Sequence, residues 1–167
     1  HGAMFGIKEF FDYVNTKNGP LLRERKDLKK QIKALEEQEE RSAEDEAKLS
    51  ELREQLQAAE AKPLFKPILG CEVYCARRSR FKKDANVPNP YRPNQSVDNS
   101  GWHLVLLAKD LTGYKNLIKM VSRSWIDGYY YRPRIDKELL EAHHEGIIAS
   151  SACLGGEIPQ HIMYGNI

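Results

Sequence analysis

The chain has 167 residues, which allows one domain of ordinary size with room for an appended segment. Charged residues make up 30% of it, yet the formal net charge is only +2, so no global field favours nucleic acid, a membrane or an acidic ligand. No apolar run reaches the length of a membrane span, and three cysteines do not make an even disulfide framework, so we expect a soluble, cytoplasmic protein with reduced thiols.

The chain begins with a short amphipathic pattern. Apolar residues recur at helical spacing from Met4 to Val14, and the pair Gly19-Pro20 is expected to end this helix. No start methionine precedes His1, and the last residues leave a final helix without a closing strand. We therefore expect a chain that is cut at both ends.

Residues 21–62 are predicted to form an antiparallel helical hairpin inserted into the domain. From Arg23 to Lys62 the segment holds 10 Lys/Arg and 12 Asp/Glu and lacks Gly, Pro and aromatic residues, which is typical of a long solvated helix. Ser42 with Asp45 predicts a capping box that starts the second arm. The apolar stripes of the two arms are Leu21, Leu28, Ile32 and Leu35, and Leu49, Leu52, Leu56 and Ala59. The favoured interpretation is an insertion without chemistry, and the alternative is a coiled coil that binds a partner.

After Pro63 the pattern changes to short apolar runs that alternate with helical ones. Three runs rich in β-forming residues predict buried strands, at Ile68–Cys75, Trp102–Ala108 and Gly146–Ser151. We expect a helix capped by Asp110 or Thr112, a shorter one capped by Asp136, and a last helix over 156–163. Near-continuous apolar strands that alternate with helices predict an α/β fold with a parallel sheet covered on both faces.

Residues 76–101 are predicted to form a long basic loop. This stretch of 26 residues contains three prolines and four asparagines, and six Lys/Arg stand against two Asp. Phe81 and Tyr91 are interleaved with the basic residues. One interpretation is contact with a nucleic-acid backbone through Arg77, Arg78, Arg80, Lys82 and Lys83. The alternative, favoured by composition, is a mobile, solvated loop without a binding role.

Three polar residues are embedded in, or follow, the apolar strands. Glu72 interrupts the first strand, His103 opens the second and Cys153 follows the third. In a parallel α/β sheet, side chains near the carboxyl ends of strands converge, and carboxylate, imidazole and thiolate are ligands for zinc or a similar divalent ion. The structural alternatives are a hydrogen-bonded histidine and a small buried cysteine, while a carboxylate in an apolar strand needs some partner. Spacing alone leaves both interpretations open.

Three longer runs together resemble the PHP domain of the bacterial DNA polymerase III alpha subunit. They are Gly70–Tyr74, then His103–Ala108 followed by Gly113–Leu117, then Ser150–Pro159. His1-Gly2 with the following Met4–Gly6 also resembles the end of the family's aspartate-histidine-glycine motif. The resemblance covers the chain outside the hairpin and the long loop. It implies a (β/α) PHP-type barrel, of which this chain is a partial, truncated piece.

The resemblance also implies a metal site for phosphoester hydrolysis, proposed to be a proofreading nuclease where the ligand set is intact. Carried over residue by residue, the implied ligands are His1, Glu72, His103 and Cys153. The family's opening His-x-His strand, the aspartate before His1 and the closing Asp-x-His pair have no counterpart in this sequence. The parent domain is expected to bind zinc or manganese. The incomplete set in this chain need not hold an ion and is expected to be inactive by itself.

The implied function is that of a fragment of a replicative DNA polymerase. Its parent is a DNA-directed DNA polymerase that works with DNA, with other holoenzyme subunits and with a proofreading exonuclease subunit. One alternative is a stand-alone PHP-family phosphatase, such as those that act on histidinol phosphate. Another is a non-catalytic scaffold domain that binds the proofreading exonuclease. The runs Gly113–Leu117 and Ser151–Pro159 favour the polymerase over the phosphatase.

Overall fold

The computed structural model describes residues 1–38 and 40–165, which divide into two compact units. One unit is Gly6–Pro67, and the other consists of His1–Phe5 with the residues from Ile68 onward. None of the described helices combines the length and the apolar character needed to cross a membrane.

The Gly6–Pro67 unit is built from two helices, α1 (Ile7–Glu36) and α2 (Ala43–Ala61). Lys29 Nζ lies 2.8 Å from Glu60 Oε1, and Arg53 Nη2 lies 2.7 Å from Glu36 Oε1, so the helices run in opposite directions. The residues buried between them are the two apolar stripes, with Leu28, Ile32, Leu49, Leu52 and Ala59 at the centre and Leu21, Leu35 and Leu56 at the margin. This unit therefore has its own apolar seam.

Helix α2 begins at the predicted capping box. The backbone N–H of Asp45 donates to the Ser42 hydroxyl at 3.2 Å, and the backbone N–H of Ser42 donates to Asp45 Oδ2 at 3.0 Å, which confirms this prediction. At the other end, the Arg25 guanidinium donates to the carbonyls of Ala59 and Lys62, at 2.9 and 2.6 Å. Both ends of α2 thus have partners for backbone groups that the helix itself leaves unpaired.

The predicted helix end at Gly19-Pro20 is wrong, because Pro20 lies inside the continuous helix α1. A proline removes one backbone donor and crowds the preceding turn, but that cost is local. The preceding turn has a strong tertiary contact: the buried Asn18 amide donates to the Phe65 carbonyl at 2.8 Å and accepts from the Phe65 N–H at 3.0 Å. This pair of hydrogen bonds holds the helix in place next to the proline.

The second unit contains a mixed sheet. Its strands are β1 (Gly70–Ala76), β4 (Gly101–Ala108), β5 (Arg134–Ile135) and β6 (Ile147–Ser151), in the order β5-β1-β4-β6. A separate two-stranded ribbon pairs β2 (Pro88–Asn89) with β3 (Arg92–Ser96). The α/β class is confirmed, while the barrel remains a prediction.

The predicted all-parallel sheet is wrong. Strand β4 pairs antiparallel with both β1 and β6, and the short β5 alone pairs parallel with β1 among the described strands. A parallel neighbour needs a crossover connection, usually a helix. The link from β1 to β4 contains no helix, only the β2–β3 ribbon and turns, so β4 returns antiparallel. The sequence suggested parallel strands because near-continuous apolar runs are typical of them. Here the runs are apolar because both faces of these antiparallel strands are partly covered.

Three helices accompany this sheet: α3 (Leu111–Ile126), α4 (Lys137–Ala142) and α5 (Glu157–Met163). Asp110, rather than Thr112, caps α3 by accepting from the Gly113 N–H at 2.9 Å. Asp136 caps α4 as predicted, accepting from the Leu139 N–H at 3.0 Å. The core between sheet and helices consists of Cys71, Val73, Cys75, Trp102, Leu106, Leu117, Met120, Val121, Ile135 and Leu139.

The region 76–101 is not the open, solvated loop that its composition suggests. It contains the β2–β3 ribbon, and the wholly buried Arg134 binds its backbone. The Arg134 guanidinium donates to the carbonyls of Asp98, Arg80 and Lys82, at 2.7, 2.9 and 3.0 Å. A fourth bond reaches the Gly128 carbonyl at 3.0 Å. One buried side chain therefore organises much of this region.

Candidate metal centre

Strand β1 carries the first candidate ligand. Side chains along a strand alternate between its two faces, and Cys71, Val73 and Cys75 point into the core. Glu72 and Tyr74 therefore project together from the opposite face, as strand alternation predicts. This face is partly open, so Glu72 is only half-buried.

Strand β4 brings His103 to the same face. In the antiparallel register Tyr74 lies opposite His103 and Glu72 lies opposite Val105, so Glu72 and His103 are diagonal neighbours. His103 Nδ1 lies 3.1 Å from Glu72 Oε1. The prediction that these ligands converge at the carboxyl ends of parallel strands is wrong. Each lies in the first half of its strand, and antiparallel pairing brings them together.

Backbone hydrogen bonds fix the segment that carries His1. The Gly2 N–H donates to the Glu72 carbonyl at 2.7 Å, and Trp125 Nε1–H donates to the Gly2 carbonyl at 2.7 Å. Gly2 has a φ of +67°, and an added Cβ would lie 2.5 Å from Pro133 Cγ, so only glycine fits here. His1 Nε2 lies 2.7 Å from Glu72 Oε2.

Cys153 lies just beyond the end of β6, beside His103. Its sulfur is 3.2 Å from His103 Nδ1 and accepts from the Gly155 N–H at 3.3 Å. The backbone N–H of His103 donates to the Gly155 carbonyl at 3.0 Å. An added Cβ on Gly155 would stand 3.1 Å from the imidazole, so the absence of a side chain permits this close approach. The turn thereby holds the thiol against His103.

His1, Glu72 and His103 form one compact group of donors. One ligand atom from each lies within 4.8 Å of the other two, close to the ~4 Å separation of atoms that share a single ion. Within the residues that the structure describes, this group has three members and does not include Cys153. Two imidazole nitrogens and a carboxylate oxygen suit zinc or manganese. The side chains present therefore fit one divalent ion.

Much of the basic cluster predicted for nucleic-acid contact is engaged within the molecule. Arg80 is only 6% exposed, and its Nη1 lies 2.7 Å from Asp136 Oδ1, so this guanidinium is bound within the molecule. Contact of the cluster with nucleic acid stays a prediction. Arg78 pairs with the buried carboxylate of Asp98. The Arg77 guanidinium lies over the Trp102 ring, 4.1 Å from the ring centroid. The two lysines of the cluster are exposed.

The two buried carboxylates are held in their charged form. Burial opposes ionisation, but hydrogen bonds from the backbone N–H groups of Arg80 and Leu139 and from the Arg80 guanidinium lower the pKa of Asp136. Burial likewise opposes ionisation of Asp98, but the hydrogen bonds from Arg78 and from the Asp84 backbone N–H, together with the charges of Arg78 and Arg134, outweigh burial and lower the pKa of Asp98. By contrast, burial raises the pKa of the Cys75 thiol to about 11. Cys75 is therefore a protonated core residue.

A cavity of about 260 Å³ adjoins the donor group, and sequence reasoning missed it. Its walls include His1, Tyr74, Trp125, Tyr129 and Arg132. The available signal was the run of three tyrosines followed by an arginine, which begins three residues after the end of α3. Arg134 was also missed, since an arginine in a polar stretch normally indicates a solvent-exposed side chain.

An α/β unit that gathers two histidines and a glutamate on one sheet face defines a domain with a candidate metal centre. The whole chain, residues 1–167, matches the PHP domain family, and the chain belongs to that family. The resemblance seen in the sequence motifs is confirmed.

The curated relatives of this chain include several named DNA polymerase III subunit alpha. The protein of that name from Thermus aquaticus is 47% identical over 98 residues, which covers 59% of this chain and 7% of the relative. Those from Borreliella burgdorferi and Deinococcus radiodurans are 47% identical over 99 residues and 45% identical over 100 residues. These matches cover 59% and 60% of this chain and 8% and 7% of the relatives. The chain thus spans only a small part of the length of these relatives.

Proposed function

We propose that the chain is part of the alpha subunit of a bacterial replicative DNA polymerase, whose activity is DNA-directed DNA synthesis. The names of relatives that are 40–47% identical support this proposal. Under this proposal, the whole subunit works with DNA, with other holoenzyme subunits and with a proofreading exonuclease. A cytoplasmic location belongs to the same proposal.

Within that role, the proposed function of the donor group is to hold a divalent metal, zinc or manganese, for phosphoester hydrolysis. The observation that carries it is the 4.8 Å limit on the distances among donor atoms of His1, Glu72 and His103. A bound ion of this kind supplies charge for a developing phosphate oxyanion and lowers the pKa of a bound water. Cys153 would add a thiol donor on the His103 side.

Glu72 is the residue on which the other donors depend. One of its carboxylate oxygens faces His1 and the other faces His103, so it orients both imidazoles. The Tyr74 ring packs against both, with centroid distances of 5.5 and 5.2 Å. These contacts favour a preformed site, because both rings are held before any ligand binds.

The test is zinc binding by the purified chain. We expect zinc to be retained after dialysis and to raise the thermal unfolding midpoint, since an ion that binds only the folded state stabilises it. Glu72→Gln should weaken zinc binding at least ~10-fold, because it removes the charge that both imidazoles face. Glu145→Gln, at an exposed carboxylate outside the group, is the matched control. Equal zinc affinity in Glu72→Gln and the unchanged chain would reject the site.

The same samples test catalysis. We expect no hydrolysis of a mismatched primer end or of a small phosphate ester, because three grouped donors serve one ion and two-metal hydrolysis needs more. Turnover of the small ester that Glu72→Gln abolishes would contradict this and favour the stand-alone phosphatase. Binding of a proofreading exonuclease without any metal binding would favour the scaffold.

A further inference from the structure

We propose that the cavity beside the donor group is a nucleobase site, and that it seats an unpaired nucleotide with its phosphate towards Arg132 and the candidate metal centre. The cavity is lined by Tyr74, Trp125, Tyr129 and Tyr131 in addition to Arg132. The proposal rests on the proposed function only in placing the phosphate towards the candidate metal centre. Binding of the base depends on the aromatic walls and can be measured without metal.

The walls offer an open stacking surface. The rings of Trp125 and Tyr129 are nearly parallel, with centroids 5.5 Å apart and an interplanar angle of 16°. Trp125 is 48% exposed and Tyr129 is 49% exposed, so about half of each residue faces solvent. Exposed aromatic rings next to cationic groups are the platform on which proteins stack unpaired bases. This surface therefore has the chemistry of a base site.

The platform is anchored to the same segment that positions the donor group. Trp125 Nε1–H donates to the Gly2 carbonyl, directly after His1. Tyr131 has a φ of +57°, in the left-handed region that bulky residues avoid, and such backbone strain concentrates at functional sites. Across this residue, the Tyr130 N–H donates to the Arg132 carbonyl at 3.0 Å. The tight turn sets Tyr131 and Arg132 at the cavity.

Charge at the cavity favours a phosphate. Arg132 is exposed, and no carboxylate in the described part of the chain pairs with it. Its guanidinium lies 6.0 Å from the centroid of the Tyr74 ring, and that ring lies 5.5 Å from the His1 ring. The Tyr74 ring is thus a neighbour of both the arginine and the donor group. An unpaired arginine fork binds phosphate oxygens with two parallel hydrogen bonds.

The size of the cavity limits the ligand. About 260 Å³ is slightly below the ~300–1,000 Å³ of sites that enclose whole drug-sized molecules. One base fits this space, and a base in such a pocket has left its pairing partner and its stack. The ligand class is therefore a single unpaired nucleotide, either free or at the end of a strand.

The experiment titrates the chain with dAMP in EDTA and follows tryptophan fluorescence and equilibrium dialysis. Deoxyribose 5-phosphate and deoxyadenosine serve as the two halves of the ligand. We expect dAMP to bind more tightly than either half. Tyr129→Ala should weaken dAMP about 5- to 100-fold, as expected for one lost stacking partner. Arg132→Ala should weaken dAMP while leaving deoxyadenosine unchanged.

Two controls keep the outcome interpretable. Tyr13→Ala removes an exposed tyrosine from α1 and should leave dAMP affinity unchanged. Circular dichroism establishes that each variant is folded, and Trp125→Phe assigns the fluorescence change while retaining a ring. Equal affinity for dAMP and the sugar phosphate, or folded Tyr129→Ala that binds dAMP normally, would overturn the base site. Loss of zinc binding with intact dAMP binding would instead count against the proposed metal function alone.

Discussion

Asp136 illustrates how much of this domain depends on single buried residues. Its carboxylate accepts from the Arg80 and Leu139 backbone N–H groups, both at 3.0 Å, and from Arg80 Nη1 at 2.7 Å. It caps α4 and neutralises a buried cation with the same oxygens. Loss of the charge would leave the guanidinium of Arg80 buried without its partner.

Asp136→Asn should therefore destabilise the α/β unit by ~3–5 kcal/mol. The folded-state pKa of Asp136 is lowered, so its contribution is complete above the unfolded value of ~3.9 and is lost as the pH falls through the lower folded pKa. Urea unfolding followed by circular dichroism from pH 2 to pH 7 measures both effects.

The control is Glu138→Gln, which alters a carboxylate 3.9 Å from the same Arg80 but with a side chain that is 78% exposed. That change should cost less than ~1 kcal/mol. Similar unfolding free energies for the two variants would show that the buried pair is not the stabilising interaction.

At the scale of elements, helix α1 and residues 76–101 both differ from what local sequence predicted, and the reason is the same. Helix α1 continues through Pro20 next to the Asn18–Phe65 hydrogen bonds, and residues 76–101 are ordered around Arg134. In each case a buried polar side chain binds backbone far away in sequence. Local propensity is a weak guide where such contacts exist.

Arg134→Lys should destabilise the α/β unit by several kcal/mol, on the order of 3. An ammonium group is compact and has three donors, whereas this guanidinium spans the carbonyls of Gly128, Asp98, Arg80 and Lys82. Thermal unfolding measures the loss, and hydrogen exchange should show it first in residues 76–101. Arg123→Lys, at a half-exposed arginine in α3, is the control. An unchanged melting temperature for Arg134→Lys would show that the four hydrogen bonds of the Arg134 guanidinium do not stabilise the unit.

At the scale of the whole molecule, two separate apolar cores accompany the two units. The seam of the Gly6–Pro67 unit and the core of the α/β unit share no buried residue among those described. Each unit therefore has its own source of stability.

Replacing residues 7–66 by a short Gly/Ser linker should leave the α/β unit folded, since closing such a loop costs little free energy. Far-ultraviolet circular dichroism should lose helix, while the remaining chain should unfold cooperatively. Zinc binding should persist, because His1, Glu72 and His103 all belong to the retained unit. A chain that no longer unfolds cooperatively would disprove the independence of the unit.

Local chemistry determined much of what the sequence predicted. Capping by Ser42 and Asp136 involves residues only three positions apart, and the strands carry runs of β-forming residues, so these elements were found near their observed positions. Strand alternation also placed Glu72 and Tyr74 together. These features depend on backbone geometry within a few residues of each other.

Tertiary structure alone decided the direction of the strands, the burial of Arg80 and Arg134 and the aromatic cavity. An apolar run does not distinguish a parallel strand from an antiparallel one, because the direction of a strand follows from the path of the connecting chain. An arginine is buried only where distant groups satisfy its donors, and sequence does not say which groups those are. The donor group of His1, Glu72 and His103 depends on sequence and on tertiary structure. Its residue types were visible in the sequence, and antiparallel pairing brought Glu72 and His103 together.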